Sequence, residues 1–137
     1  MSGKSKINFG RIKFMYLYTI LGAGGFGLGI LLIPDTMISL FRWPDQDPIV
    51  FGVTGSVYLA FALVSLLGLR SPLKFLPILF LQLFYKSIWF IGVVIPLINS
   101  GEFPLSAILL LVIFATYIIG DLVSIPFLYV FKKEETV

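Results

Sequence analysis

Two ionisable side chains, Lys86 and Asp121, lie deep inside long apolar stretches of the sequence. Lys86 has 11 residues before it and 12 after it in the apolar run 75–98, and Asp121 precedes Phe131 by 10 residues. At 1.5 Å per helical residue, these positions are about 16 Å and about 15 Å from the ends of their runs. A lysine stem reaches only about 6 Å, so the ammonium needs a partner inside the protein. We therefore predict a buried Lys86/Asp121 ion pair.

Polar and aromatic side chains occur within one or two helical turns of both charges. Pro126 cannot donate a hydrogen bond to the preceding turn, so Ser124 is expected to satisfy a backbone acceptor there. Two interpretations stay open: a functional polar cavity, or a structural ion pair that fixes helix register. The functional one is favoured because an ion pair in lipid has a desolvation cost that its attraction only just offsets. The predicted polar centre consists of Lys86, Asp121, Gln82, Tyr85, Trp89, Tyr117 and Ser124.

The stretch GAGGFGLG, residues 22–29, matches the phosphate-binding pattern G-x-G-x-x-G, and Asp47 follows about 20 residues later. In a dinucleotide-binding protein such glycines leave a strand and open an amphipathic helix. Here they lie in the middle of an apolar segment with no polar face on either side. An unpaired backbone is too costly in lipid, so the segment is expected to stay helical. The pattern therefore indicates a narrow membrane helix and excludes a nucleotide site.

Small residues at four-residue spacing predict close packing of the first two helices. Gly25 and Gly29 form a GxxxG pair on the side that includes Gly22, and Ala23 and Gly27 repeat the spacing on roughly the opposite side. Gly52 and Ser56 have the same spacing on the second helix. Such rows let helix backbones approach closely in lipid. We expect these helices to pack together, with the other small face available to a third helix or a second copy.

The composition is typical of a membrane protein. Among 137 residues, 58% are hydrophobic and 12% are charged, and the mean hydropathy is +1.03; soluble domains carry about 25% charge. Cysteine and histidine do not occur in the sequence, which excludes disulfides, thiolate sites and imidazole chemistry. We predict an all-α transmembrane four-helix bundle in one domain, residues 1–137. Its predicted spans are 14–33, 49–69, 75–98 and 104–130, joined by an interfacial loop at 34–48. Residues 35–43 of this loop are predicted to form a short helix or turn at the outer interface, with a lid or partner-docking loop as the alternative.

The distribution of charge predicts the orientation. Arg42 is the only basic residue in the loops 34–48 and 99–103, which also carry four acidic residues. By the positive-inside rule, both termini are cytoplasmic and the protein belongs in a plasma membrane of the bacterial inner type. The first span is expected to be a retained helix and not a cleaved signal sequence. The basic residues expected on the cytoplasmic side are Lys4, Lys6, Arg11, Lys13, Arg70, Lys74, Lys132 and Lys133.

The interpretation of function is a non-catalytic helper subunit or binding module with a buried polar centre. The alternative is an oligomeric transporter or channel for a small solute or protons that uses Lys86 and Asp121. An enzyme is disfavoured because one buried carboxylate and one lysine have no second acid or metal-ligand cluster beside them. We expect no catalytic residue, cofactor, metal or nucleic acid. The expected partners are the lipid bilayer and further copies of the chain or a larger membrane complex.

Four features of the sequence match a known group. They are the glycine-rich first helix ending at Pro34, Arg70 after the second helix, KSIW at 86–89 and DLVSIP at 121–126. On these features the chain resembles the small four-helix bacterial membrane proteins of the DoxX-like kind. The resemblance implies the same fold along the whole chain. Some members accompany redox or respiratory enzymes as membrane subunits, but the absence of cysteine and histidine here leaves no residue to carry such a role over.

Overall fold

The computed structural model describes residues 6–134 and is built from helices. Four helical runs in this range are long and apolar enough to cross a membrane, which confirms the predicted all-α fold with four long apolar helices. Lys4, used for the topology prediction, lies outside the described residues. The helices are α1 (Phe9–Leu32), α2 (Pro34–Phe41), α3 (Pro48–Arg70), α4 (Leu76–Trp89), α5 (Ile95–Asn99), α6 (Leu105–Ser124) and α7 (Phe127–Phe131).

The connection between α1 and α3 contains the short helix α2, which docks on the end of α1. Met37 packs against Gly29, where any Cβ atom would meet the Met37 sulfur at 2.5 Å. Arg42 ends α2 in the left-handed conformation, with φ at 57°. Trp43 then stacks on Phe41 with ring centroids 5.1 Å apart. The segment predicted to lie at the interface thus covers one end of the bundle with aromatic rings.

The third apolar run continues from α4 into α5 through a π-helical turn, Phe90–Val94. Pro96 has no backbone N–H, and in a regular α-helix its ring would clash with the carbonyl of Gly92. The turn widens at this point, so that the N–H of Ile95 bonds to the carbonyl of Phe90. Leu76–Asn99 is therefore a single run long enough to span a membrane despite the proline.

The fourth apolar run is divided at Pro126. The sequence predicts one span over 104–130, whereas α6 ends at Ser124 and α7 begins at Phe127. Ile125 is extended, with φ at −69° and ψ at 125°. A proline disfavours the helical conformation in the residue before it, which explains the break. Leu105–Ser124 alone is long and apolar enough to cross a membrane.

α1 and α3 form the closest helix pair, and their backbones touch. A Cβ atom on Gly27 would lie 2.6 Å from the backbone nitrogen of Leu59 and 2.8 Å from the carbonyl oxygen of Gly55. One turn away, a Cβ atom on Gly24 would lie 3.2 Å from the Cβ of Ala62. Only residues without side-chain bulk permit this approach, as small-residue rows do in membrane helices.

The contact between α1 and α3 runs through a different row of small residues from the one that the sequence analysis selected. Added Cβ atoms at Gly25 and Gly52 would meet nothing within 4 Å, and Ser56 is exposed. Gly22 instead faces Tyr117 of α6, and Gly29 faces α2. Both glycine faces of α1 are narrow, and spacing alone does not show which face each neighbour takes.

Candidate functional site

Lys86 and Asp121 both lie in the interior of the bundle, on α4 and α6. Lys86 is 2% exposed and Asp121 is fully buried. The predicted direct ion pair between them is not formed: no salt bridge with an N···O distance of 4.0 Å or less occurs within residues 6–134. Each charged group instead has neighbours of its own. The centre is therefore two adjoining environments, one around the carboxylate and one around the ammonium.

Asp121 belongs to a row of hydrogen-bonded side chains that links three helices. The side-chain amide of Gln82 donates to the Asp121 carboxylate, with Nε2 3.1 Å from Oδ2 and 3.5 Å from Oδ1. The Thr19 hydroxyl lies 3.3 Å from Gln82 Oε1 and 2.8 Å from the carbonyl of Met15, so it has two acceptors in reach. Gln82 is fully buried and Thr19 is 1% exposed. The amide takes the place that the ammonium was predicted to occupy.

Lys86 points its ammonium at aromatic rings. Its Nζ lies 4.0 Å from the ring centroid of Tyr117, 4.8 Å from that of Tyr85 and 5.0 Å from that of Phe114. All three separations are within the range of cation–π attraction, which is stronger where water is excluded. An aromatic cage, formed by Tyr85, Phe114 and Tyr117, thus stabilises a charge that has no carboxylate oxygen within 4.0 Å in the described part of the chain.

α1 fixes Tyr117 by two contacts, one at its hydroxyl group and one at its ring. Its hydroxyl donates to the backbone carbonyl of Tyr18 at 2.9 Å, and its ring stacks on that of Tyr18 with centroids 4.2 Å apart. The hydroxyl occupies the space where a Cβ atom on Gly22 would be. Gly22 is therefore a positioning residue of the cage, since its missing side chain admits the phenol.

A small cavity adjoins the Lys86 ammonium. Its volume is ≈ 10 Å³, and its lining includes Lys86, Tyr58 of α3, Tyr85 and Tyr117. This is about the space that one water-sized group requires. Since the ammonium has three donors and no acceptor function, the cavity offers a hydrogen-bonding position for one oxygen or a small anion.

The structure brings together five of the seven residues predicted for the centre and places the other two outside it. Trp89 packs on the cage residue Phe114, with ring centroids 5.1 Å apart, and does not contact the ammonium. Ser124 is buried beside Arg11 and Met15 of α1, in a separate groove. The five are Lys86, Asp121, Gln82, Tyr85 and Tyr117.

Thr19 and Phe114 belong to the centre although the sequence analysis did not select them. Thr19 lies one turn before Gly22 on the face that α1 turns inward, which is a usable signal for a buried hydroxyl. Phe114 is one aromatic residue among 14 phenylalanines and has no distinguishing spacing. Its role depends on how α4 and α6 rotate against each other.

Residues 6–134 contain no group of three His, Cys, Asp or Glu residues that could hold a metal ion. The groups that are present can hold an anionic or hydrogen-bond-accepting atom at Lys86 and donate from phenols beside it. No protein-family model matches the chain, and no curated protein or solved structure matches it either. The DoxX-like resemblance thus stays a prediction, and the geometry of the centre carries the functional argument.

Proposed function

We propose that this is an integral membrane protein that spans the bilayer four times and acts as a non-catalytic helper subunit or binding module. Its binding site is the ammonium of Lys86 within the aromatic cage. The observation that carries this proposal is a charged side chain, 2% exposed, with aromatic faces around it and no carboxylate within 4.0 Å in residues 6–134. Charged groups inside a membrane are costly and are candidates for function.

Membrane insertion is supported by an inverted distribution of polarity. Large apolar side chains on the long helices face outward: Leu21 is 68% exposed, Ile88 67% and Ile119 62%. Gln82 and Asp121 are fully buried on two of the same helices. Water would penalise this arrangement, whereas hydrocarbon favours it because lipid tails solvate the outer residues.

The orientation with cytoplasmic termini is supported by one cluster of basic side chains. Lys74, in the connection between α3 and α4, lines the same groove as Lys132 and Lys133, which follow α7. Three lysines from separate parts of the chain thus gather at one end of the bundle. Under the positive-inside rule this end faces the cytoplasm, next to anionic lipid headgroups.

A binding role is favoured over the transporter alternative by the size of the space at Lys86. A cavity of ≈ 10 Å³ accommodates one water-sized group. Such a space suits the capture of a single oxygen atom and is too small for the passage of a solute. Self-association remains part of the proposal, since Gly25, Gly52 and Ser56 all face outward, where a second copy or a partner subunit can approach closely.

The test of a binding role is the stability of the Lys86→Met variant. A thioether fits the aromatic cage and has no desolvation cost. The ammonium gives up several kcal/mol of hydration and regains about 0.5–2 kcal/mol from each aromatic contact. We expect the free energy of unfolding, measured by SDS denaturation in mixed micelles, to be unchanged or higher in the variant. The matched control is Lys74→Met, the same substitution at an exposed lysine.

A loss of about 3 kcal/mol or more on Lys86→Met, with Lys74→Met unchanged, would show that the ammonium serves the fold as one partner of a buried pair does. A structural role would then replace the binding role. An unchanged or higher stability means that the protein retains Lys86 for something other than folding, as functional sites commonly do.

A further inference from the structure

A groove on the side of the bundle opens to the outer surface and lies next to the centre. It lies between α3 and α4, has a volume of ≈ 390 Å³, and its lining is mostly apolar, with Val53, Val57, Phe61 and Leu81 among its residues. Val53 and Leu81 are more than half exposed. The groove is therefore open to whatever surrounds the helices, which in the proposed setting is the acyl region of the bilayer.

The groove and the cavity at Lys86 are adjacent. Tyr58 and Tyr85 line both of them. These two phenols form the wall between an apolar space on the outside and an ammonium on the inside. A molecule with an apolar tail and a polar head of one or two oxygens would meet matching surfaces in that order.

We propose that the ligand of this protein is a single-chain carboxylate amphiphile, such as a medium-chain fatty acid, that enters sideways between α3 and α4. Its hydrocarbon lies in the groove, and its carboxylate accepts from the Lys86 ammonium at the Tyr58/Tyr85 wall. This inference rests on the proposed binding function and names the ligand class of the same site. Charge complementarity carries it, because the buried ammonium offers three donors and has no carboxylate oxygen within 4.0 Å in residues 6–134.

The size and depth of the site select a fatty carboxylate over a phospholipid. A cavity of ≈ 10 Å³ admits one carboxylate oxygen but not a phosphate with its four oxygens and two esters. Lys86 also lies about 16 Å from either end of its span, so a phospholipid headgroup anchored at the interface does not reach it. A fatty acid has a single chain and no ester-linked headgroup anchored at the interface, so it can bring its carboxylate to this depth.

The test is binding of radiolabelled laurate to the protein in phosphatidylcholine nanodiscs, with empty nanodiscs subtracted to remove partitioning into lipid. We expect saturable binding that unlabelled laurate displaces. Dodecanol, which has the chain without the charge, and acetate, which has the charge without the chain, should each compete at least about tenfold more weakly. Lys86→Met should weaken laurate binding at least about tenfold, since it removes the buried charge partner, whereas Lys74→Met should not change it.

A second pair of variants tests the groove without touching Lys86. Val57→Phe fills the groove and should weaken laurate binding, whereas Val112→Phe, the same change at an exposed position on α6, should leave it unchanged. Equal competition by dodecanol would show a neutral apolar occupant, and equal competition by acetate would show a small-anion site; either result overturns the proposal. Absence of saturable laurate binding also overturns it.

The two proposals fail in distinguishable ways. If the wild type binds no laurate but Lys86→Met keeps its stability, the fatty-carboxylate inference fails and the binding function stands with another ligand. If Lys86→Met loses the fold, the binding function fails. The comparison of Val57→Phe with Val112→Phe still decides whether laurate occupies the groove in that case.

Discussion

Lys86 and Asp121 show how far single residues can be placed from sequence. Their depth in the apolar runs follows from counting, and both are buried as expected. Their pairing does not follow, because Gln82 lies one turn from Lys86 on the same helix face and its amide reaches the carboxylate. The ammonium, displaced from that position, takes the aromatic faces of α6 and α4. Which of two donors on one face reaches an acceptor depends on side-chain geometry that spacing does not encode.

Because Gln82 and Asp121 are hydrogen-bonded, we expect substitutions at these two positions to have strongly coupled effects on the free energy of unfolding. Gln82→Leu leaves a fully buried carboxylate without its donor and should lower the free energy of unfolding by about 3 kcal/mol or more. The double variant Gln82→Leu/Asp121→Leu removes the orphaned charge as well and should recover much of that loss. SDS denaturation of the four proteins in the double-mutant cycle measures the coupling. Additive losses would show that the two side chains do not interact.

A substitution at Gly22 is expected to destabilise the protein locally, at the aromatic cage. Gly22→Ala places a methyl group where the Tyr117 hydroxyl lies, so it should destabilise the protein by about 1–3 kcal/mol. Gly92→Ala is the matched control, because a Cβ atom added at Gly92 would meet nothing within 4 Å and the change should be neutral or slightly stabilising. Adding Tyr117→Phe to Gly22→Ala should restore part of the loss, measured by thermal unfolding. Equal effects of the two alanine substitutions would contradict this account.

At the scale of helices, the sequence predicts which segments are helical better than it predicts whether a helix is continuous or which face it packs. Hydropathy and length identify the four long runs because they depend only on composition. The break at Pro126 and the π turn before Pro96 have local causes that are visible in the sequence, but the fourth run is apolar on both sides of its proline and was therefore predicted as one span. Which glycine row of α1 contacts α3 depends on how α1 is rotated about its axis. The sequence does not determine this rotation, because α1 is narrow on two faces.

The backbone contact between α1 and α3 predicts which glycine matters most for helix pairing. A methyl group on Gly27 meets backbone atoms of α3, which cannot move as a side chain can. Gly27→Ala should therefore destabilise the protein by about 1–3 kcal/mol, while Gly92→Ala, where an added Cβ atom faces open space, should not. Steady-state levels in membranes and SDS denaturation provide the measurement. A neutral Gly27→Ala would show that the two helices are farther apart than described.

At the scale of the whole molecule, the distribution of polarity is inverted relative to a soluble helical bundle. On the long helices, large apolar side chains are exposed and polar ones are buried, which is the arrangement that hydrocarbon surroundings favour. This much is predictable from sequence because it needs only hydropathy and the positions of charges. The aromatic cage and the side groove are not predictable in the same way, since each is built from residues of several helices whose rotation the sequence leaves open.

The central claim, that the chain spans the membrane four times with its basic end in the cytoplasm, is tested by cysteine labelling. The sequence contains no cysteine, so Ser71→Cys, between α3 and α4, and Ser100→Cys, after α5, each introduce a single reactive thiol. In spheroplasts treated with a membrane-impermeant maleimide, we expect Ser100→Cys to be labelled and Ser71→Cys to be labelled only after lysis. Labelling of both positions in intact spheroplasts would contradict the account.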